Sequence, residues 1–437
     1  MRRVLLPLDL GWRHFDHRIF RWFFCHKSNC RKIKKKELQW VDFDVIVIGG
    51  GPIGCAVARD IAAAGCRVLV VEEHPRIGDP LRCSGLISSR TLQLSRVSTN
   101  VVLHKLTGAR VHAPGGEVLE LYGNRVYALA VDREAFDRDL AAQAAAAGAE
   151  IMCGMRAEDI NLVPGGVQVK LRQRGTRGKI EKISSFLVIG ADGYRSSVAR
   201  KFGILPQGEK VPLYAAEVEL PGSEGQIVDI FLGNQIAPGW FGWVIPTGRG
   251  TARVGIGADR CPYQYFQQLV INNPEVFQGM QIVRCTSGYV PVGFYDRTYG
   301  PHTMLVGDAA GHVKPISGGG LYLGLIAAEI CAAVAVEALQ EKDFSEKFLA
   351  RYQERWEKAI GEEIYCGLKH RDVFLSLTDD DMDKIISFFN KPYWRKLILR
   401  YGDIDFHSAL AVRLSRIPIW AKHFIDSSRN VISGLFM

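Results

Sequence analysis

The chain has no CxxC pair, although ten cysteines are scattered through its 437 residues. That scatter argues against a disulfide framework and for reduced thiols in a cytoplasmic protein. Cys25, His26 and Cys30 have no second ligand pair at a matching spacing, so no metal centre is expected. No run of about 20 uncharged apolar residues occurs. The nearest stretch, 321–339, is interrupted by Glu329 and Glu337 and reads as a buried helix. Internal repeats are absent too. Positive charge is scarce outside one end of the chain: residues 1–40 hold eleven Lys/Arg against Asp9, Asp16 and Glu37, or +8 of the formal +9. The rest is nearly neutral, which leaves nucleic-acid binding without support.

What remains is an ordinary globular composition, 47% hydrophobic and 23% charged, long enough for two or three packed units. Residues 1–42 mix arginines with Trp12, Phe15, Trp22 and Phe23 and read as a basic extension without a fold of its own. The apolar run 45–48 leads into Gly49-Gly50-Gly51-Pro52-Ile53-Gly54, small residues at helical spacing follow, and a second apolar strand ends at Glu72. This predicts a βαβ unit. In it Gly49 permits the turn, Gly51 admits a pyrophosphate and Gly54 lets helix meet strand, with the anion at the helix N-terminus. Glu72, 18 positions after Gly54, can accept from ribose hydroxyls.

Two further motifs extend that unit. Ala191-Asp192-Gly193 closes the apolar strand 186–189, and Val306-Gly307-Asp308-Ala309-Ala310-Gly311 precedes Pro315 and glycines 318–320. One GxGxxG alone is weak; the three in this order point to bound FAD. The expected fold is α/β. A Rossmann-like FAD-binding domain (43–200 and 286–340) carries an inserted antiparallel sheet for substrate (201–285) and a helical C-terminal region (341–437). Short strands near 214–220, 227–232, 242–245 and 252–256, parted by Gly/Pro turns, mark the insertion.

The three motifs resemble those of the p-hydroxybenzoate-hydroxylase-like flavoproteins. Within that group the chain is most similar to the geranylgeranyl reductase family. The similarity rests on Gly78-Asp79-Pro80-Leu81-Arg82-Cys83-Ser84-Gly85, which matches G-x-P-x-x-C-x-G. It also rests on Pro238-Gly239-Trp240-Phe241-Gly242-Trp243-Val244-Ile245-Pro246, where Phe241 and Ile245 replace the Tyr and Phe of Y-x-W-x-F-P. The resemblance implies that Glu72 binds the adenosine ribose and that Arg133 approaches the FAD. It implies that the strand at Ala157 offers backbone to adenine, that Asp308 meets the ribityl or pyrophosphate, and that Gly320 and Leu321 meet the ring. Cys83 and Ser84 would lie beside that ring, while Phe241 and Trp243 would wall a slot for an isoprenoid chain.

The activity implied is saturation of C=C bonds in a polyprenyl lipid by hydride transfer from reduced flavin, with Cys83 positioning or protonating the alkene. No second dinucleotide fingerprint is present, so the electron donor is either NAD(P)H reacting transiently or ferredoxin. Two alternatives stand beside it. Phe241-x-Trp243-x-Ile245-Pro246 is as near the halogenase W-x-W-x-I-P signature, which allows a halogenase or aromatic monooxygenase. Alternatively, basic residues among aromatics in 391–429 would suit a flavin-containing electron-transfer subunit in peripheral contact with the inner face of a membrane.

Overall fold

The computed structural model describes residues 41–80, 83–175, 178 and 180–408. Residues 1–40 of the basic extension with the Cys25-His26-Cys30 group, Leu81 and Arg82, and the basic stretch beyond 408 lie outside the described residues, whereas Val41 is buried and Asp42 accepts from the Ser184 N–H at 2.8 Å.

Phe43–Ile48 is buried along most of its length and pairs in parallel with Val68–Glu72 on one side and Glu181–Gly190 on the other. Between the first two strands runs the helix Pro52–Ala63, with proline at its first turn, where no N–H is missed. The small residues Gly54, Cys55, Ala56 and Ala58 are among its buried positions, together with Val57 and Ile61. The sheet order is Tyr299–Gly300, Thr303–Leu305, Glu181–Gly190, Phe43–Ile48, Val68–Glu72, Glu150–Cys153. The chain builds one side of Phe43–Ile48 first and returns later to the other. Strand order therefore reverses beside the glycine loop, and such a switch point opens a crevice at the carboxyl ends of parallel strands. The hairpin Met155–Val163 and Gly166–Gln173 pairs antiparallel onto Glu181–Gly190. Helix Arg133–Ala146 is capped by Asp132, whose carboxylate accepts from the Ala135 N–H at 2.9 Å.

The second sheet has seven strands, in the order Gln281–Tyr295, Pro206–Glu219, Thr251–Gly257, Gly242–Gly248, Ile227–Phe231, Gly108–His112, Val118–Tyr122. Its pairings are antiparallel except for Ile227–Phe231 with Gly108–His112. Alternation along Gly242–Gly248 separates two apolar layers. Val244 faces the layer with Phe266 and Leu269 of helix Pro262–Asn272, whereas Trp243 and Ile245 face Trp240, Leu86 and Val292.

Between residues 346 and 401 the chain is mostly helical, with helices Glu346–Trp356, Glu362–Ser376, Asp379–Phe389 and Pro392–Tyr401. Pro392 starts the last of these at its first turn. The stretch expected as a buried helix forms Leu321–Glu341, and 56% of its apolar window is buried. Among the described residues it alone is long and apolar enough to cross a membrane.

Glu329 sits on that helix, 3.8 Å from Arg96. Burial, with the nearby Asp60 charge, pushes its carboxyl up to about 7 from 4.5. A folded-state value above the unfolded one contributes stability that is complete below pH 4.5 and lost as pH rises through about 7. The Glu329→Gln variant should therefore gain on the wild type across that window. The gain should be on the order of 2 kcal/mol once solvent screening is allowed for. Chemical denaturation at both ends of the window checks this; an unchanged stability difference would refute it.

Candidate active site

The glycine loop is shaped by three contacts. Gly49 has φ +107, and a Cβ there would meet the Ala191 oxygen at 2.3 Å, so the turn excludes other residues. A Cβ on Gly54 would lie 2.0 Å from the Gly49 oxygen. At Gly51 a Cβ would meet nothing within 4 Å. Gly51 thus faces open space at the helix N-terminus, although its backbone (φ −67, ψ 175) would suit any residue. Glu72 closes the loop: its Oε2 accepts from the Gly50 N–H at 2.8 Å and its Oε1 from the His74 N–H at 2.9 Å. The His74 ring lies 2.6 Å from Oε1 through Nδ1 and leaves a buried Nε2 without a hydrogen-bond partner. The sequence offered no reason to single out His74.

The other two motifs meet this loop. Asp192 follows the residue that crowds Gly49; its Oδ2 accepts from the Ser197 N–H and hydroxyl at 2.6 and 2.8 Å, while its buried Oδ1 has no partner. Ile53 packs between Gly307, 3.3 Å from the Cβ position there, and Gly324 at 2.8 Å. At the start of helix Leu321–Glu341, a Cβ on Gly320 would come within 2.9 Å of Asp308 Oδ1. Burial pushes the Asp308 carboxyl up, opposed by the Arg133 charge. Tyr295 senses both acids: burial first, then Asp192 and Asp308, push its phenol up to about 12. Glu72, Asp192 and Asp308, far apart in sequence, thus surround one crevice. Ala157 is buried in the core cluster with Ile48 and Val71. Its strand also lines a cavity of about 280 Å³ with Ser197 and Arg200.

The Cys83 segment is anchored by arginines. The Cys83 Sγ accepts from the Gly85 N–H at 3.4 Å. Arg133 is buried and forks onto Asp137 at 2.8 and 3.1 Å through Nη2. Burial opposes its charge, but Asp137 and the Cys83 sulfur outweigh that, and its pKa is raised. Arg253, also buried, donates from Nη1 to the Ser84 oxygen at 3.0 Å and the Val131 oxygen at 2.8 Å, and from Nε to Glu217 at 3.2 Å. It ties the second sheet to the Cys83 segment. Its only sequence signal was a charge at an inward position of an apolar strand.

The aromatic wall stands on the same sheet. Trp240 and Phe241 stack at 5.3 Å, and Trp243 meets Phe241 edge-on at 5.9 Å. Trp240 reaches the flavin-domain loop, 3.2 Å from the Cβ position of Gly318, and Arg371 lies 4.6 Å over its ring. The buried Trp243 Nε1 has no partner. Trp240, rather than Phe241 or Trp243 alone, joins the sheet to the Gly318 loop.

Residues 42–253 match the model of the FAD binding domain. The chain is 33% identical to the digeranylgeranylglycerophospholipid reductase of Methanothrix thermoacetophila, over 82% of this chain and 94% of that one. It is 30% identical to digeranylgeranylglycerophospholipid reductase 2 of Methanopyrus kandleri, over 88% and 100%. The chain belongs to the geranylgeranyl reductase family. The crystal structure of a geranylgeranyl bacteriochlorophyll reductase-like protein from Thermoplasma acidophilum superposes with a TM-score of 0.76 at 26% identity, covering 88% and 98%. Like other members of this family, the protein is an FAD-dependent oxidoreductase of mixed α/β fold with a helical C-terminal region.

The residues present fit that cofactor. Open space beyond Gly51 at a helix N-terminus suits a pyrophosphate. The unpartnered Asp192 oxygen and the carboxyl of Asp308 suit donors on the ribityl side. The start of helix Leu321–Glu341 places a positive dipole end beside Asp308 and Gly320. Such an end favours negative charge by up to ~2 kcal/mol in a partly buried site.

Gly51→Ala and Gly54→Ala should therefore behave differently. The first should leave apoprotein stability within ~0.5 kcal/mol yet weaken FAD binding about 100-fold, equivalent to ~2.7 kcal/mol. The second should lower both. Flavin fluorescence titration and denaturation of the apoproteins read this out; normal FAD affinity in Gly51→Ala would sink the assignment of that space.

Proposed function

We propose that the protein saturates C=C bonds of a polyprenyl lipid or diphosphate bearing geranylgeranyl chains. Reductases acting on digeranylgeranylglycerophospholipid are its relatives over most of their length, and this carries the reading. The wall of Trp240, Phe241 and Trp243 beside the Gly318 loop supports it, because an isoprenoid chain needs an apolar surface next to the flavin.

Bound FAD, once reduced, supplies the hydride for one alkene carbon. The chain's own residues must orient the alkene, exclude water and deliver a proton to the other carbon. An isolated alkene accepts hydride poorly, so proton delivery has to accompany it in a dry site. Arg133, with its raised pKa, keeps its proton. Cys83, the neighbouring group, is our candidate for positioning or protonation. Glu72 would hold the adenosine ribose, Ala157 backbone the adenine, and Gly320 and Leu321 the ring edge. NAD(P)H or ferredoxin would serve as reductant. Peripheral contact with an anionic membrane face through the basic residues near 391–400 would bring enzyme to lipid; the helix there fully buries none of its residues.

Dithionite-reduced, FAD-loaded protein should hydrogenate a geranylgeranyl lipid without oxygen, adding two hydrogens per bond by mass spectrometry. Cys83→Ala should lower kcat about 100-fold with FAD content retained. Inert FAD-loaded wild type would sink the reductase reading. Oxygen consumption coupled to substrate would favour a halogenase or monooxygenase instead.

A further inference from the structure

Helix Pro392–Tyr401 has no fully buried residue, only partly buried ones such as Trp394 and Leu397, and the segment after it has a further hold. That hold is a polar clasp. Arg90 pairs with Asp403 and, at 3.0 Å, with Asp405. Lys314 donates to the Ile404 oxygen at 2.5 Å and lies 3.8 Å from Asp405. Glu363 accepts from the N–H groups of His407 and Ser408 at 2.8 and 3.1 Å. Phe406 meets Tyr322 edge-on at 5.6 Å, and Arg90 lies over both rings.

Two features make this more than a surface tether. Lys314 and Asp405 are 6% and 2% exposed, so these charges were taken out of water to hold one short segment. Lys314 also belongs to the loop between Asp308 and Gly320: a Cβ on Gly319 would lie 2.7 Å from its Cε. The clasp therefore fastens residues 403–408 to the loop that faces the flavin. The side chain it presents is Ile404, which packs against the cluster of Trp240, Trp243, Phe241, Leu86 and Leu368.

We propose that Ile404, seated by the Arg90–Asp403–Asp405–Lys314 clasp, is the end stop of the prenyl-chain site and sets which bonds of the chain come opposite the flavin. The inference rests on the prenyl reductase reading. An apolar chain in an apolar slot has little to fix its register; it slides inward until it meets a wall. A wall made by one side chain on a short segment fixes that register without any polar group on the substrate. The clasp adds directed contacts to the partial burial that the helix before it supplies.

The test compares FAD-loaded wild type, Ile404→Ala, Ile404→Phe and Arg90→Ala. Geranyl, farnesyl and geranylgeranyl diphosphates are the substrates, under anaerobic dithionite. Arg90 is 44% exposed in its side chain, so its replacement opens no cavity in the core and gives a second variant if the Ile404 variants fail. Ile404→Ala should shift the positions saturated and raise kcat/KM for the longest chain relative to the shorter ones by about tenfold, and Ile404→Phe should do the reverse. Arg90→Ala should broaden the product distribution at unchanged FAD content. A merely structural role would lower all rates together and leave product pattern and chain-length ratio alone. Active variants with the wild-type pattern would overturn the inference while leaving the reductase reading intact. The same variants are run on the geranylgeranyl lipid, and wild type inert toward it and toward all three diphosphates would sink both.

Discussion

The close approach of the glycine loop to two later parts of the chain is the constraint on which the site depends. Gly49 presses on Ala191, Gly54 on Gly49, and Ile53 fills the gap between Gly307 and Gly324. None of these contacts is a strong bond. Together they leave no room for a side chain where backbone must turn, and they bring three acids, Glu72, Asp192 and Asp308, around one space. Close packing makes such geometry an all-or-none property, since an added methyl has nowhere to go. The positions that exclude a Cβ and the one that does not are one residue type with opposite reasons. Gly49 and Gly54 are required by the protein's own backbone, whereas at Gly51 the protein leaves room for a Cβ and only a bound group would exclude it.

That distinction explains what could be read from the chain alone. The βαβ unit was legible because a short apolar strand, a glycine turn and a run of small residues leave few alternatives. The Asp192 and Asp308 motifs were legible because each ends an apolar strand of the same sheet. Residues that join distant segments were not. Arg253 sits in Thr251–Gly257 among Ala252, Val254 and Ile256, and local pattern cannot say that its fork reaches Ser84 and Val131. Lys314 and Asp405 are 91 positions apart by number and share a buried clasp that periodicity does not report. Gly108–His112 and Val118–Tyr122 were silent for a different reason. Only Leu119 among them is fully buried, so neither shows a clean apolar face, yet both extend the second sheet.

Among the contacts that join the second sheet to the rest of the chain are a polar and an apolar anchor, and the difference in kind matters. Arg253 holds the Cys83 segment by backbone oxygens, which fixes its path regardless of neighbouring side chains. Trp240 touches the Gly318 loop through its ring and takes the Arg371 guanidinium on that ring. A backbone anchor sets where Cys83 stands. A packed aromatic sets how far the sheet lies from the flavin loop. Positioning of a reacting carbon against a hydride donor needs both coordinates, since reacting atoms must come within about 3–3.5 Å.

Burying Lys314 and Asp405, even beside Arg90, Asp403 and Glu363, has a cost that hydrophobic residues would avoid, because desolvation offsets much of the attraction between paired ions. Such pairs are retained where they fix one arrangement against others. An apolar contact alone would let residues 403–408 settle in several registers over the aromatic wall. A lysine that must find the Ile404 oxygen and an arginine that must find both Asp403 and Asp405 accept only one. The clasp thus fixes one path for residues 403–408 by its specificity rather than by its strength.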